Sequence, residues 1–419
     1  MSIDSRAVID GDLFVPIVAD RDGHQFIPAA IESGAVAFLR SAPAPAGVQT
    51  PSLAVADTGR ALLELGRTAR LRLDAHVVGV TGSVGKTSVK DLIRSVASTH
   101  LRTHANVASF NNELGVPLTL LEADDDAQVV IIEMGARNVG HVELLCGIAR
   151  PTVGVITRVA AVHTEIFGSV EQVAVAKGEL AEALPPDGSL VLNADDSRVL
   201  AMAQRSGTNR ILTYGHGVGD VQFTDVQLDP NLNPTFRLTT PIGTAEVTLG
   251  VAGAHMASNA AAAAAVGVAI GVPLDRIVEG LSAPVLSPHR MDVRTTGAGA
   301  VVINDSYNAN PTSMAAAIDA LSALEATNRI AVLGVMGELG ATEEEDHRGV
   351  AELAIAAGIA VIAVDCPLYG EGVTHVDSID SALQAVGALD QDDAVLVKGS
   401  RVAGLERLAA ALLDYPAAS

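Results

Sequence analysis

Val77-Val-Gly-Val-Thr-Gly-Ser-Val-Gly-Lys-Thr-Ser88 is the stretch on which the fold turns. Val77 to Val80 reads as a buried strand. It feeds a Gly-rich turn, and a helix is expected from Lys86. Gly82 and Gly85 let backbone N–H groups face a phosphate, Lys86 adds charge at the β and γ oxygens, and Thr87 offers a hydroxyl to Mg²⁺. Thr81, Gly82, Ser83, Val84, Gly85, Lys86, Thr87 and Ser88 are therefore expected to bind a nucleotide. The spacing is one variant of the phosphate loop. The common form would place its first Gly at position 80, which is Val80, and Gly82-Ser-Val-Gly-Lys-Thr87 is shorter.

Apolar runs recur on both sides of this loop. Val129 to Glu133, Val153 to Thr157 and Leu190 to Asn193 alternate with helical segments, which predicts a parallel sheet with crossover helices. Thr213 to Thr248 is more polar and β-like and reads as a hairpin insertion. Ala254 to Ile270 reads as an Ala-rich helix. After Pro284 and Pro288, which read as a linker, the α/β rhythm resumes with strands at Val301 to Asn304, Ile330 to Gly334, Ala360 to Val364 and Ala394 to Val397. Before residue 76, a small α/β unit is expected, with Ser41 to Pro51 as a loop and Thr58 to Leu73 as a helix. The expected domains are thus 1–75, 76–284 and 285–419.

Composition agrees with this layout. The chain has 419 residues, which suits several cores. Aromatics are only 3% and Trp is absent, so Ala, Val, Leu and Ile must build the interior. The net charge of −22 disfavours nucleic-acid binding and adds weight to each cation inside a motif. Cys146 and Cys366 lack metal spacing and read as small buried hydrophobes. No basic stretch followed by an apolar one opens the chain, and Ala260 to Val272 is too short to span a bilayer. A cytoplasmic protein without membrane insertion is expected.

Further candidates lie at strand ends, where parallel sheets bind ligands. Glu133 and His163 are placed to hold Mg²⁺ beside Thr87. Lys177 reads either as a surface lysine or as a residue facing the site. Asn111 and Asn112 read either as helix caps or as substrate contacts. Asn308 and Asn310, before Pro311, have a turn-forming reading as well. His255 reads also as a packing residue, His347 as a solvated helix start, and Lys398 as a solvated strand-end charge.

Taken together, the motifs resemble those of the Mur ligases of peptidoglycan synthesis. They are Asp4-Ser-Arg6, Gly11-Asp-Leu-Phe14, Asp22-Gly-His-Gln-Phe26, the phosphate loop, Asn111-Asn-Glu-Leu-Gly-Val-Pro117, Glu133-Met-Gly135, His163, Lys177-Gly-Glu179 and Asn193-Ala-Asp-Asp196, then His255 with Asn259, Asp305-Ser-Tyr-Asn-Ala-Asn-Pro311 and Lys398-Gly-Ser-Arg401. The asparagine-rich and Lys-Gly-Ser-Arg runs resemble the branch that joins D-alanyl-D-alanine to UDP-N-acetylmuramoyl-tripeptide. The resemblance implies a three-domain α/β architecture: a UDP-binding N-terminal domain, a central ATPase domain with a parallel sheet, and a C-terminal Rossmann-like domain. It implies an ATP-dependent ligase working through an acyl phosphate, with two Mg²⁺ ions, as a monomer. Glu133 and His163 would hold Mg²⁺, and Lys177 matches a lysine that several members carbamylate. His255, Asn259, Arg290, Asp305, Tyr307 and Asn308 would face the nucleotide. Ser5 and Arg6 lie where the UDP-sugar is read, and Lys398 and Arg401 where the dipeptide is met.

Three positions depart from the family pattern. The Asp-Ser-Arg motif begins at residue 4, where members usually have a helix and strand before it, so the expectation is either a shortened UDP-binding domain or a misassigned chain start. Asn304 stands where an acid is more usual, and Val335 interrupts a Gly-Asp-Met run. Other readings are a different ligase of the superfamily, such as a diaminopimelate- or lysine-adding enzyme or a folylpolyglutamate synthase. An Asp-Asn-Pro-Arg run of the diaminopimelate-adding type is absent. A non-ligating P-loop ATPase and a homologue that has lost its first substrate are the remaining alternatives.

Overall fold

The computed structural model describes residues 1–106, 110–160 and 167–414. Its described strands form three sheets. The first is small: β1 (Leu13–Phe14), β2 (Ala37–Arg40) and β3 (Ser52–Ala54) run parallel. Asp57 caps the following helix, Thr58–Arg72, by accepting from Arg60 N–H at 2.9 Å. That helix packs against the helix Gly115–Glu122 so closely that a Cβ on Gly66 would meet Pro117 at 2.7 Å.

The second sheet has nine strands. They are β4 (His76–Thr81), β5 (Thr103–Ala105), β6 (Val129–Glu133), β7 (Val153–Ile156), β8 (Ser189–Asn193), β9 (Ile211–His216), β10 (Val221–Leu228), β11 (Pro234–Thr240) and β12 (Gly243–Thr248). Their order is β12-β11-β10-β9-β8-β7-β4-β6-β5. From β5 through β10 every pairing is parallel, and only β11 and β12 turn antiparallel. β6 and β7 are buried along their whole length, because helices cover both faces. Lys86–Ser98, Met256–Ala269 and Leu274–Ser282 cover one face. His141–Ala149 and Val170–Glu182 cover the other. The side chains from Ala260 to Ala265 are wholly buried, and their small size lets this helix lie close to the strands.

The segment from Thr213 to Thr248 is thus a continuation of the central sheet and not an insertion. Its alternating exposure in β10 arises because the helix Met256–Ala269 covers one face while the other meets solvent. The third sheet contains β13 (Asp292–Thr295), β14 (Val301–Asn304), β15 (Asn328–Leu333), β16 (Ala360–Val364), β17 (Thr374–Val376) and β18 (Asp393–Lys398). Its order is β13-β14-β18-β15-β16-β17, parallel except for β13.

The connection into this third sheet is bolted to the helix that follows the phosphate loop. Asp91 Oδ2 accepts from Ser287 N–H at 2.7 Å, Ser95 Oγ accepts from Val285 N–H at 3.2 Å, and Arg94 donates to the Val285 carbonyl at 3.3 Å. Asp91 is itself buried beside Lys90, 3.0 Å away. Cys146 and Cys366 are both free and buried, and burial pushes the Cys146 thiol up to about 12. No helix among the described residues is long and apolar enough to cross a membrane.

Candidate active site

The carboxyl ends of β4, β6, β7 and β8 open into one cleft of about 900 Å³, closed from the opposite side by the third sheet's loops. The phosphate loop forms its floor. Gly82 has φ +149°, and a Cβ there would fall 1.9 Å from Thr157 Oγ1. Gly85 has φ +85° and caps the helix Lys86–Ser98. Only Gly satisfies both positions without strain. Thr157, at the end of β7, donates to the Val84 carbonyl at 2.7 Å and so holds the loop from beneath. Thr81 Oγ1 donates to the Met134 carbonyl at 2.8 Å, and Ser83 Oγ exchanges hydrogen bonds with Ala160.

The Lys86 ammonium donates to the carbonyls of Gly82 at 2.8 Å and Ser83 at 3.3 Å. Burial lowers its pKa, Glu133 pulls it back up, and Arg290 pushes it down. Thr87 Oγ1 donates to Glu133 Oε2 at 2.6 Å and accepts from Arg290 Nη2 at 2.9 Å. Asn111 Nδ2 donates to Glu133 Oε1 at 2.8 Å. Glu133, 1% exposed, is therefore gripped at both oxygens. Asn112 has the other role open to it: its Oδ1 accepts from the N–H groups of Leu114 and Gly115 at the start of the next helix.

Lys177 is 2% exposed and lines the cleft, so it is no surface lysine. Burial and the nearby Lys86 drive its ammonium well below the ordinary lysine range, against the pull of Glu133 and Glu179. Glu179, two residues further along the same helix, accepts from the N–H groups of Gly140 at 2.6 Å and Glu143 at 2.9 Å, joining the two helices. His163 lies outside the described residues. Among the described residues no three His, Cys, Asp or Glu side chains converge as a metal site. The hard oxygens of Thr87 and Glu133 nevertheless fit Mg²⁺, and a Lys177 ammonium does not.

From the third sheet, Arg290 reaches across the cleft. It is flanked by two non-Gly residues in left-handed conformations, His289 at φ +62° and Met291 at φ +48°. Its guanidinium lies 4.2 Å from the Tyr307 ring centroid. Asn304, the position where an acid is more usual, pairs its amide with His289 Nδ1 at 3.1 Å. Asp305 accepts from Met291 N–H at 3.2 Å and binds the Lys398 ammonium. Lys398 is 2% exposed and also donates to the Asn308 carbonyl at 2.9 Å. It is an internal brace of the 305–310 loop and not a solvated charge. Asn310 and Ser313 form a capping box that starts the helix Pro311–Ala323. His255 and Asn259 line the nucleotide side, and burial lowers the His255 pKa against the influence of Asp305.

Among the described residues expected at the site, Ser5 and Arg6 sit away from the cleft. Arg6 is exposed and paired with Asp4, whose carboxyl it holds at about 2. A smaller cavity near them, of about 290 Å³, is lined by Ile3, Ile17, Arg21 and Phe26 instead. Sequence reasoning missed several cleft residues. Thr157 was findable, since it follows an apolar run on the same sheet edge as Glu133. His141, whose Nε2 lies 3.1 Å from Glu113 Oε2, and the rim residues Asp319 and Glu338 carried no such signal.

Comparison with known proteins bears on this geometry. Residues 80–267 match the Mur ligase middle domain, and residues 289–401 match the Mur ligase glutamate ligase domain. The chain belongs to the Mur ligase family. Within the Mur ligases, UDP-N-acetylmuramoyl-tripeptide–D-alanyl-D-alanine ligase of Mycobacterium tuberculosis is 37% identical, aligned over 99% of this chain and 92% of its own length. The Escherichia coli ligase of the same name is 35% identical over 99% of this chain and 93% of its own. The crystal structure of MurF from Acinetobacter baumannii superposes with a TM-score of 0.89 at 29% identity, covering 99% of this chain and 93% of that one. MurF ligase from Thermotoga maritima in complex with ADP gives 0.87 at 26% identity, covering 99% and 96%. The nine-stranded and six-stranded sheets are thus the Mur ligase middle and C-terminal architecture.

Proposed function

We propose that this chain is an ATP-dependent ligase that adds D-alanyl-D-alanine to UDP-N-acetylmuramoyl-tripeptide. The observation that carries the reading is the contact of Arg290, from beyond the linker, with Thr87 of the phosphate loop, which brings two catalytic halves onto one cleft. The likeness to ligases of that activity over nearly the whole chain supports it. In this reading residues 1–75 hold the UDP end, 76–284 the nucleotide, and 285–419 the dipeptide. The protein acts in the cytoplasm as a monomer.

The phosphate loop N–H groups and Lys86 bind the β and γ phosphates, and Arg290 meets the transferring group from the opposite side. His255, Asn259, Asp305, Tyr307 and Asn308 line the rest of the nucleotide's path. The substrate carboxylate attacks the γ-phosphorus, the bond to the β-phosphate oxygen breaks, and ADP leaves. The dipeptide amine then adds to the acyl phosphate carbonyl, and the tetrahedral intermediate expels phosphate to leave an amide. Positioning supplies much of the rate, and closure of the two larger sheets over each other excludes water.

Thr87 and Glu133, with His163, would hold Mg²⁺, which supplies positive charge against the phosphates. Lys177 fits this set only after modification. Burial favours its neutral amine over the ammonium, and a neutral amine adds to CO₂ with loss of a proton to give a carbamate. That converts a misplaced cation into an oxygen ligand. The test is product formation from Mg·ATP with each substrate singly and together. The reading requires the UDP-linked pentapeptide, by mass, only when both are present. Turnover with lysine or diaminopimelate in place of the dipeptide would point to another ligase of the family.

A further inference from the structure

The loop after β15, Gly334 to Gly340, is held far more firmly than a connection requires. Gly334 N–H donates to the Lys398 carbonyl at 2.9 Å, and its own carbonyl accepts from Tyr369 Oη at 2.7 Å. Val335 O accepts from Ser400 N–H at 2.9 Å. Met336 N–H donates to His347 Nε2 at 2.8 Å, and Gly337 N–H to Ser400 Oγ at 2.9 Å. His347 is itself wholly buried, edge-on to Tyr369 at 5.0 Å, with Nδ1 against the Glu343 carbonyl. It was expected as a solvated helix start, and is instead part of this scaffold.

All of this restraint delivers one residue, Glu338, in a left-handed conformation at φ +65°. A Glu there costs about 1–2 kcal/mol over Gly. Gly340, at φ +63°, shows the cheaper solution two residues later. The strain at 338 therefore needs a reason in the side chain, and Glu338 lines the cleft on the rim it shares with Arg401 and Asn308. The other carboxylates lining the cleft are differently placed: Asp305 is bound to Lys398, Glu133 is gripped by Thr87 and Asn111, Asp195 accepts from His216 N–H, and Asp319 acts on His255 at the nucleotide end.

We infer that Glu338 is the catalytic carboxylate that binds the incoming amine and takes its proton. The inference rests on the ligase reading. A peptide amine has a pKa of about 8, so it arrives largely as an ammonium and cannot attack. Glu338 pairs with that ammonium and accepts one proton. The freed lone pair forms the C–N bond, the acyl C–O bond to phosphate breaks, and phosphate leaves with the electrons and takes the second nitrogen proton that the amide does not keep. Arg401, at the same rim and 6.0 Å from the Tyr307 ring centroid, is placed for the dipeptide carboxylate.

Two variants test this, Glu338→Gln and Glu338→Gly. Gly relieves the backbone, so it holds or raises the melting temperature and removes only the carboxylate. Acyl phosphate formation is read separately, by trapping with hydroxylamine, an amine that is uncharged at neutral pH and needs no base. Both variants are expected to trap at a rate within about twofold of the unaltered protein, while kcat/KM for D-alanyl-D-alanine falls about 100-fold near pH 7. Between about pH 7 and pH 9 the neutral fraction of the amine rises about tenfold, so the defect should shrink by about that factor. Normal ligation by Glu338→Gly would overturn the inference. So would a pH-independent defect, or trapping lost in parallel with ligation. Absence of trapping in the unaltered protein would overturn the ligase reading, and this inference with it.

Discussion

Lys398→Met makes the most demanding prediction about the C-terminal half. The ammonium is 2% exposed, and its partner Asp305 has a side chain 15% exposed. Removing the cation leaves a carboxylate in a poorly solvated place and releases the Asn308 carbonyl as well. Breaking one half of such a pair costs about 3–5 kcal/mol. That is a large part of the stability of an ordinary domain, about 5–15 kcal/mol. For a unit of this size it corresponds to about 10 °C or more in melting temperature. Calorimetry should resolve it as a lowered transition for the third sheet, with that of the central sheet less affected. Asp305→Asn in the same chain should recover about 2–3 kcal/mol, because the stranded charge is gone. Strictly additive losses in the double variant would refute the reasoning, as would a loss below about 1 kcal/mol for Lys398→Met alone.

Other expectations follow from the cleft. Gly82→Ala should weaken ATP binding at least about tenfold by calorimetric titration, since its Cβ would collide with Thr157 Oγ1. Glu133→Gln keeps the size of a side chain that Thr87 and Asn111 both grip, yet removes the charge among Lys86, Lys177 and Arg290. Phosphate release should fall about 100- to 1,000-fold with an unchanged circular dichroism spectrum. Burial lowers the His104 pKa, and its Nε2 has no hydrogen-bond partner among the described residues. The unfolded chain then binds more protons below about pH 6.5, so stability is lost as pH falls through that region. His104→Leu should therefore show a smaller drop in urea midpoint between about pH 7 and pH 5 than the unaltered chain.

Most of the central sheet was legible because fully buried parallel strands leave uninterrupted apolar runs. Val129 to Glu133 was read to the residue. β9 to β12 were misjudged as an insertion because a strand covered on one face only alternates, and alternation does not reveal which sheet it joins. The phosphate loop was legible because its chemistry lies in consecutive residues. Asn111 and Asn112 could not be separated in sequence: only the fold places one against Glu133 and the other under a helix. Lys398 was similarly ambiguous, because its partners Asp305 and Asn308 are about ninety positions away. Glu338 was invisible for a different reason. Its significance lies in a backbone angle and in bonds from His347, Tyr369 and Ser400, which no local pattern encodes.

The central claim is that the two halves cooperate in forming an acyl phosphate and passing it to an amine. It is tested most directly by labelling the tripeptide's terminal carboxylate with ¹⁸O and running the reaction with Mg·ATP and D-alanyl-D-alanine. One labelled oxygen is expected in each phosphate released, together with the pentapeptide by mass. Unlabelled phosphate, or label transfer without the pentapeptide, would contradict it.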